Sequence, residues 1–441
     1  MPEFFRRAAT AALAVVCLAL AHPWTASADV SPEIGGGSKA LTLQEALAET
    51  LLHSPDLQAF ALEIRAREAE ALQAGLRPNP LLSLEAENLF GSGEFSGVDA
   101  AETTLSVSQT LELGGKRGLR RELADAETRL AQGEYAQREA QALAVTTEAF
   151  LAVLVAQERL ALAEALIEPA EKILDQVRER IVAGKTAETE QLRVRIHLRE
   201  LQGARERSKR ELAAAREQLA ARLGRDRVDF GPVVGDLATL FAPPRPMDLE
   251  KHLEVSPVVR QRALENERRA KLMNLEQARR IPNVDIEVGA RYLRHEEDLA
   301  LVVGLSVPLP LFDRNQGSIA AARHRLTQAR TEERDAFLIT RASVIAAGEE
   351  LAAAHADIAA LRDEILPAAH QALQAMEYGY QAGKFGLLDV LDAQRTLVEA
   401  QRAHLEALAA FHRAGVELDR LLGGQWRASA FNQTSSAFVQ E

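Results

Sequence analysis

The stretch YGYQAGKFGLLDVLDAQ, residues 378–394, decides how the chain folds, because it interrupts an otherwise regular helical pattern. Residues rich in Ala, Leu, Glu and Arg lead up to Gly383, and a second helical pattern follows it. Glycine tolerates the positive φ that a helix hairpin needs at its turn. The triplet Ala-Gly-Lys occurs at 382–384 and also at 183–185, so we predict two equivalent helical hairpins.

The whole chain is duplicated in the same way. Motifs recur in the same order in both halves, and their residue numbers differ by 196 to 204 (322 − 126 and 282 − 78). The matched motifs are Ser54-Pro55 with Ser256-Pro257, Pro78-Asn79 with Pro282-Asn283, Leu105–Val107 with Leu305–Val307, residues 126–132 with 322–328, Pro169 with Pro367, Gly184 with Gly383, and Leu223-Gly224 with Leu422-Gly423.

Residues 1–28 have the pattern of a secretory signal peptide. Arg6 and Arg7 precede an apolar run from 8 to 21, and Ala26-Ser27-Ala28 suits signal peptidase. A lipid anchor on Cys17, the only cysteine, is the alternative. The predicted organisation is therefore a signal peptide at 1–28, a first repeat at 29–224, a linker at 225–246, a second repeat at 247–424 and a C-terminal tail at 425–441.

Composition excludes several classes of function. The formal charge of −12 argues against nucleic acid as a partner. After the signal peptide no run reaches the roughly 18 apolar residues of a membrane helix. The ten His are scattered, and no Ser/His/Asp or Cys/His arrangement suggests hydrolysis. We therefore predict no enzyme activity, no cofactor and no dedicated metal site.

Each repeat contains two predicted strands whose residues alternate with period 2. The polar face includes Glu85, Glu87, Asp285 and Glu287. The apolar face comprises Leu82, Leu84, Ala86, Leu105, Val107, Leu111, Val284, Ile286, Val288, Ala290, Tyr292, Leu301, Val303, Leu305 and Val307. Such alternation is typical of a transmembrane β-barrel. A soluble four-stranded sheet lying on helices is the alternative.

A very long helix follows each strand pair, from about Gly118 to Ala183 and from about Gly317 to Ala382, on the order of 100 Å each. Apolar residues seven apart predict a lateral packing seam on both helices. The first seam is Val153, Ala156, Leu160, Ala163, Ile167, Ala170, Leu174, Val177 and Ile181. The second is Val344, Ala347, Leu351, Ala354, Ile358, Leu361, Ile365 and Ala368.

These elements require more than one chain. Four strands cannot close a barrel, and a bilayer tolerates no open sheet edge. Two chains together supply eight strands, and a barrel of eight has an interior filled by side chains. Three chains supply twelve strands around a water-filled lumen, and such a lumen suits the acidic face of the strands better. The predicted fold is mainly α with a small β portion. Long helical hairpins form a trimeric α-barrel, and four strands per chain are pooled into a 12-stranded transmembrane β-barrel.

This layout resembles the TolC family of outer-membrane channel-tunnels, from residue 41 to 424. GLRPNPLLSLEAEN at 75–88 and QTLELGGKRG at 109–118 are similar to the CzcC-type branch, which serves heavy-metal efflux systems. The resemblance implies a homotrimer in the outer membrane that extends across the periplasm. It also implies docking onto a periplasmic adaptor and a resistance-nodulation-division (RND) pump of the inner membrane. The protein is then a passive exit duct.

The resemblance also implies roles at the hairpin tips. The turns Gly184-Lys185 and Gly383-Lys384 match the periplasmic end of the duct, and Tyr380 matches a residue that hydrogen-bonds between tip helices, with Glu190 as its acidic partner. Asp389 and Asp392 match a carboxylate pair that lines the constriction. The alternative is that both are solvated surface residues. Phe385 stands where the family has Arg, so the closing bonds differ here, with Lys384 as a candidate.

The predicted function is an exit duct for divalent heavy-metal cations. Within the family, a duct for drugs or other organic solutes is the alternative, because the sequence of the duct says little about its cargo. A periplasmic coiled-coil adaptor is the alternative from another class. Adaptors carry a single hairpin flanked by compact β-domains, whereas this chain has two hairpins and two isolated strand pairs.

Overall fold

The computed structural model describes residues 39–424, and helices dominate them. The helices are α1 (Leu43–His53), α2 (Pro55–Ala74), α3 (Lys116–Ala165), α4 (Ile167–Val182), α5 (Glu188–Arg222), α6 (Pro246–Glu250), α7 (Pro257–Ala278), α8 (Gln316–Ala360), α9 (Leu366–Gln381) and α10 (Leu387–Leu422). The strands are β1 (Leu41–Thr42), β2 (Leu81–Glu87), β3 (Glu102–Leu111), β4 (Val233–Val234), β5 (Val284–Leu293) and β6 (Asp298–Ser306). A π-helical turn, Leu361–Ile365, joins α8 to α9, and short 3₁₀ turns occupy Gly93–Phe95 and Leu253–Val255.

No helix within residues 39–424 combines the length and the apolar character that crossing a membrane requires. The predicted signal peptide and the C-terminal tail lie outside the described residues.

The two strand pairs join into one antiparallel sheet with the order β2-β3-β5-β6. The central pairing, β3 with β5, links the first repeat to the second. Leu84 lies opposite Leu105, which lies opposite Ala290, so the apolar residues of neighbouring strands share one face. This face is open, with Leu84 73% and Leu301 76% exposed. The predicted alternation of apolar and polar residues is confirmed, and the apolar face of the sheet is not covered by the rest of the chain.

The other face of the sheet is polar and more enclosed. Thr104 and Ser106 are buried there. The Arg291 guanidinium forms ion pairs with Glu102 at 2.9 Å and with Glu87 at 3.4 Å, and it also donates to the Thr104 hydroxyl. Arg291 therefore connects β2, β3 and β5 through their polar side chains.

Polar side chains also fix the corners between strands and helices. Arg120, in the first turns of α3, forms an ion pair with Glu112 and donates to the backbone carbonyls of Ala74 and Leu76 at the end of α2. In the second repeat, the Asn315 side chain donates to the carboxylate and the backbone carbonyl of Glu276 at 2.7 and 2.8 Å. These bonds satisfy helix-end carbonyls that would otherwise lack partners.

The helices pack side by side rather than around a globular centre. Next to the sheet the lateral order is α2, α3, α7, α8, and further away it is α5, α3, α10, α8. The parallel pairing of β1 with β4 lies beside α3. A central cluster joins these layers, and its large, fully buried members include Phe150, Leu219, Leu249, Leu351 and Phe411.

The first predicted seam is present, with Val153, Ala163, Ala170, Leu174 and Val177 all buried. It keeps its spacing across Leu166, the residue at which the predicted long helix divides into α3 and α4. Leu160, Ile167 and Ile181 are partly covered.

The second predicted seam is wrong in its last part. Val344, Leu351 and Ile358 are buried, but Ile365 is 45% exposed and Ala368 is exposed too. The π-helical turn adds one residue to the helix, so every later residue is rotated by one position. The seam continues instead through Leu366, Ala369, Leu373, Met376 and Tyr380, of which Ala369 and Tyr380 are buried.

Because the seam shifts by one residue, Ile358 and Ile365 differ in burial although they are seven residues apart. Ile358→Ala removes a fully buried side chain, so we expect it to lower the free energy of unfolding by about 2–5 kcal/mol. Ile365→Ala, seven residues later and 45% exposed, should lower it by less than about 1 kcal/mol. Denaturant unfolding of the purified protein, followed by circular dichroism, measures both. Equal losses would contradict the shifted seam.

Candidate functional site

The two hairpin turns are built in the same way. Gly184 ends α4 with φ 68°, and Gly383 ends α9 with φ 71°. The Lys185 N–H donates to the Arg180 carbonyl at 2.8 Å, and the Lys384 N–H donates to the Gly379 carbonyl at 2.8 Å. These bonds are the six-to-one bonds of a Schellman motif. A side chain at either glycine would meet open space, so the positive φ is what favours glycine.

A second hydrophobic cluster joins the two hairpins next to these turns. This tip cluster contains Leu174 and Val177 of α4, Val194 of α5, Tyr380 of α9, and Leu387 and Val390 of α10. All six side chains are buried. Because every helix of both hairpins contributes, the tip cluster holds the hairpins against each other.

Tyr380 and Glu190, which the sequence predicts as partners, are brought together across the hairpins. The Tyr380 hydroxyl lies 3.4 Å from Glu190 Oε2, a long hydrogen bond in which the phenol donates. Tyr380 is only 6% exposed. Burial raises its pKa above the usual value, and the nearby Glu190 carboxylate raises this pKa further. The phenol therefore stays protonated and remains a donor.

Arg180 completes this contact, and sequence reasoning missed it. Its Nη1 donates to the Tyr380 backbone carbonyl at 3.0 Å. Its guanidinium carbon also lies 4.5 Å from the centre of the Tyr380 ring, which is a cation–π distance. Arg180, Tyr380 and Glu190 thus form one group, which we call the tip latch. Lys384, the predicted candidate for a closing bond, is exposed at the turn.

The repeat offers no signal for Arg180, because its counterpart in the second repeat is Gly379 (379 − 180 = 199). Gly379 leaves room for the ring of Phe385. A Cβ at Gly379 would overlap the ring of Phe385, so the ring rests directly on the helix backbone. Phe385 therefore covers α9, and Arg180 of the other hairpin supplies the cationic contact.

Asp389 and Asp392 lie three residues apart near the start of α10 and are both exposed. Asp389 Oδ2 accepts the Gly386 N–H at 2.8 Å and thereby caps its own helix. Asp392 pairs with Arg395 at 2.8 Å, both side chains being 68% exposed. Within one chain these carboxylates make the contacts of solvated residues, and both are free to face another chain.

The equivalent acid in the first hairpin behaves differently. Glu190 occupies the position of Asp389, since 389 − 190 equals 383 − 184, which is 199. Both are the third residue of their helices. Asp389 bonds to its own backbone, whereas Glu190 reaches across to Tyr380. Among residues 39–424 no group of three or more His, Cys, Asp or Glu side chains is arranged to hold a metal ion.

Paired helical hairpins below an open sheet with an exposed apolar face define a channel-type protein, and comparisons with known proteins agree. The family model for outer membrane efflux proteins matches residues 46–225 and 249–424. Cobalt-zinc-cadmium resistance protein CzcC of Cupriavidus metallidurans is 32% identical, over 87% of this chain and 90% of that one. Nickel-cobalt-cadmium resistance protein NccC of Alcaligenes xylosoxydans xylosoxydans is 29% identical, over 70% and 69%.

Solved structures show the same fold. The outer-membrane channel OprN has a TM-score of 0.74 at 21% identity and covers 87% of this chain and 90% of its own. CusC has a TM-score of 0.73 at 17% identity and covers 92% and 99%. The chain belongs to the outer membrane efflux protein family. It is an efflux channel of the outer membrane, and the resemblance to the CzcC-type branch is confirmed.

The contact between Gly379 and Phe385 predicts that the effect of Gly379→Ala on the free energy of unfolding changes sign when the Phe385 ring is removed. Gly379→Ala alone should lower the free energy of unfolding by about 1–3 kcal/mol, because the ring must move away from the new Cβ. In a Phe385→Ala background the same substitution should raise it by up to about 1 kcal/mol, since Ala favours the helix. Gly317→Ala, in α8 with open space around it, is the control and should be stabilising in both backgrounds. Destabilisation in both backgrounds would contradict the contact.

Proposed function

We propose that three copies of this chain form one continuous duct through which a tripartite RND-type system exports divalent metal cations. The observation that carries the proposal is the four-stranded sheet, whose apolar face is open and whose outer strands β2 and β6 each pair along one side only within residues 39–424. A membrane forbids unpaired strand edges. Pairing β2 of one copy with β6 of the next closes twelve strands.

The helical layers support the same closure. The lateral order leaves α2 and α8 at the two sides near the sheet, and α5 and α8 further away. The side with β2 therefore also carries α2 and α5, and the side with β6 carries α8 throughout. Both sides present apolar side chains, with Leu72 of α2 at 73% and Ile339 of α8 at 59% exposure. A neighbouring copy would cover them.

Cysteine pairs test the closure, because the described residues contain no cysteine. Leu84→Cys in β2 combined with Leu301→Cys, Val303→Cys or Leu305→Cys in β6 should give covalent trimers under oxidation in at least one combination. Leu84→Cys with Leu105→Cys is the control, since these residues lie opposite each other in one chain and should cross-link only within it. Monomers from all three β6 combinations would argue against the twelve-stranded barrel.

The tip latch would hold the closed state of the duct. Arg180, Tyr380 and Glu190 connect the two hairpins, and the tip cluster packs beside them. Opening the tip would separate the hairpins and break these contacts. A periplasmic adaptor that binds the hairpins would supply the free energy for this separation, and an RND pump of the inner membrane would supply the cargo.

Threefold symmetry would turn Asp389 and Asp392 into two rings of carboxylates. Rings of acidic side chains attract cations at channel constrictions. Their exposure in one chain and their shared helix face support this role. The acidic polar face of the sheet, which contains Glu85, Asp285 and Glu287, would continue a cation-favouring path outward.

The latch and the rings predict different changes in planar-bilayer recordings. Arg180→Ala or Tyr380→Phe should raise the open probability, because each removes a contact between the hairpins. Asp389→Ala with Asp392→Ala should weaken block by Co²⁺ by about tenfold or more while the open probability changes less. Glu399→Ala, an exposed acid further along α10, is the control and should leave block unchanged. Unchanged block in the double variant would remove the ring assignment.

The metal cargo rests on the relatives, which are named for resistance to cobalt, zinc, cadmium and nickel. Deleting the gene should therefore make cells sensitive to these cations, because the last step of export is lost. Restoring the gene should restore growth. Growth with organic drugs measured in parallel is the comparison. A strain that loses only drug resistance would establish the organic-solute duct instead.

A further inference from the structure

We propose that the corners between the sheet and the helices form a basic girdle that binds the headgroups of anionic phospholipids. All four corners lie at one end of the sheet. The start of β2 lies beside the end of β3, the end of β3 beside the start of β5, and the start of β5 beside the end of β6. Each corner contributes one exposed arginine, and these girdle arginines are Arg77, Arg117, Arg280 and Arg314.

The girdle arginines keep their charge free for an outside anion. Among the described residues none of the four forms an ion pair, although Arg279, next to Arg280, pairs with Glu276 at 2.5 Å. Arg314 donates one long hydrogen bond, 3.4 Å, to the Leu311 carbonyl. A guanidinium presents five N–H donors in a fork that fits a phosphate group. Four such forks at one level suit a layer of phosphates.

Apolar side chains accompany the girdle arginines. Each corner has an exposed one close to its arginine, namely Leu76, Leu113, Ile281 and Phe312. Phe312 is 90% exposed. The apolar face of β6 also continues past the end of the strand, because Val307, Leu309 and Leu311 keep its alternation and are exposed. Apolar side chains beside exposed arginines match the level at which acyl chains meet headgroups.

The two ends of the sheet differ in charge. The corner segments are 75–80, 112–118, 279–283 and 307–316, and the loops at the other end are 88–101 and 294–297. The corner segments contain six basic and two acidic residues, a net charge of +4. The loops contain one basic and four acidic residues, a net charge of −3. Because the whole chain carries −12, the positive charge at the corners is a local feature that favours anionic lipid at this end.

The inference rests on the proposed membrane position of the sheet and adds which lipid contacts it. The corners join the sheet to the helices, so in the proposed duct the girdle lies at the leaflet that faces the periplasm. Closure would place β2 of one copy beside β6 of the next, which brings Arg77 near Arg314 and makes the girdle continuous. A ring of like charges repels itself. Lipid phosphates between the arginines would offset this repulsion.

Spin-labelled lipids test the girdle in the full-length protein, reconstituted into phosphatidylcholine vesicles. Electron paramagnetic resonance separates lipid in contact with the protein from bulk lipid, and so compares spin-labelled phosphatidylglycerol with spin-labelled phosphatidylcholine. The wild type should favour phosphatidylglycerol by about threefold or more, averaged over all lipid contacts. High salt should lower this preference, because it screens exposed charges.

The girdle variant carries Arg77→Gln, Arg117→Gln, Arg280→Gln and Arg314→Gln, and its preference should fall below about 1.5-fold. The matched control carries Arg193→Gln, Arg195→Gln, Arg222→Gln and Arg227→Gln, which are also exposed. These four lie on α5 or just after it. Leu219 of α5 belongs to the central cluster with Phe150, which is about 50 Å along α3 from Lys116. The control should keep the preference of the wild type.

Equal preferences in the wild type and the girdle variant, or an equal loss in the control, would overturn the girdle. Displacement of the labelled lipid by excess soluble glycerol phosphate would overturn it too, because the site would then take free anions. A girdle variant with altered ion selectivity but unchanged lipid preference would place these arginines in the lumen. If the wild type shows no protein-bound lipid at all, the membrane position of the sheet fails, and the proposed function fails with it.

Discussion

The backbone hydrogen bonds at the two edges of the sheet set the constraint on which the rest of the molecule depends. The strands expose their apolar face and carry acidic and hydroxyl side chains on the other, so the sheet is suited to lipid on one side and water on the other. Every N–H and C=O of such a sheet must find a partner. The helices have a similar constraint, because their lateral order leaves α2 and α5 at one side of the layers and α8 at the other. The proposed assembly of three chains would satisfy the sheet and the helices together.

Duplication explains why one chain carries two strand pairs and two helical hairpins, and divergence between the repeats explains the contact between the hairpin tips. The two hairpins share their turn geometry down to the backbone hydrogen bonds. Their side chains differ at equivalent positions, with Arg180 against Gly379 and Glu190 against Asp389. One hairpin supplies the cation and the acid that hold Tyr380, and the other supplies Tyr380 and the exposed carboxylates. Two identical hairpins would offer no such complementary contact.

Much of the fold follows from the sequence because it rests on periodicity. Alternation located the strands and their faces, and heptad spacing located the seam from Val153 to Ile181. The second seam prediction failed after Ile358, because the extra residue of the π-helical turn changes the phase of the helix. Pro367, two residues past this turn, lacks the N–H of a regular helical bond and was a signal that the heptad prediction did not use. At the site, Tyr380 and Glu190 came from family resemblance. Arg180 could not be found, since nothing in a helical pattern tells which arginine turns toward a neighbouring helix.

The short parallel pair of β1 and β4 has a consequence for how the molecule forms. It joins Leu41–Thr42 to Val233–Val234, so the start of the first repeat is completed by the segment that follows that repeat. Contacts between residues so far apart in the chain form late, because a long loop must close first. Leu41 and Thr42 therefore stay unpaired until Val233 and Val234, which follow the first repeat, are available to pair with them. Strand β1 is therefore among the last elements of the first repeat to form, although it comes first among them in the chain.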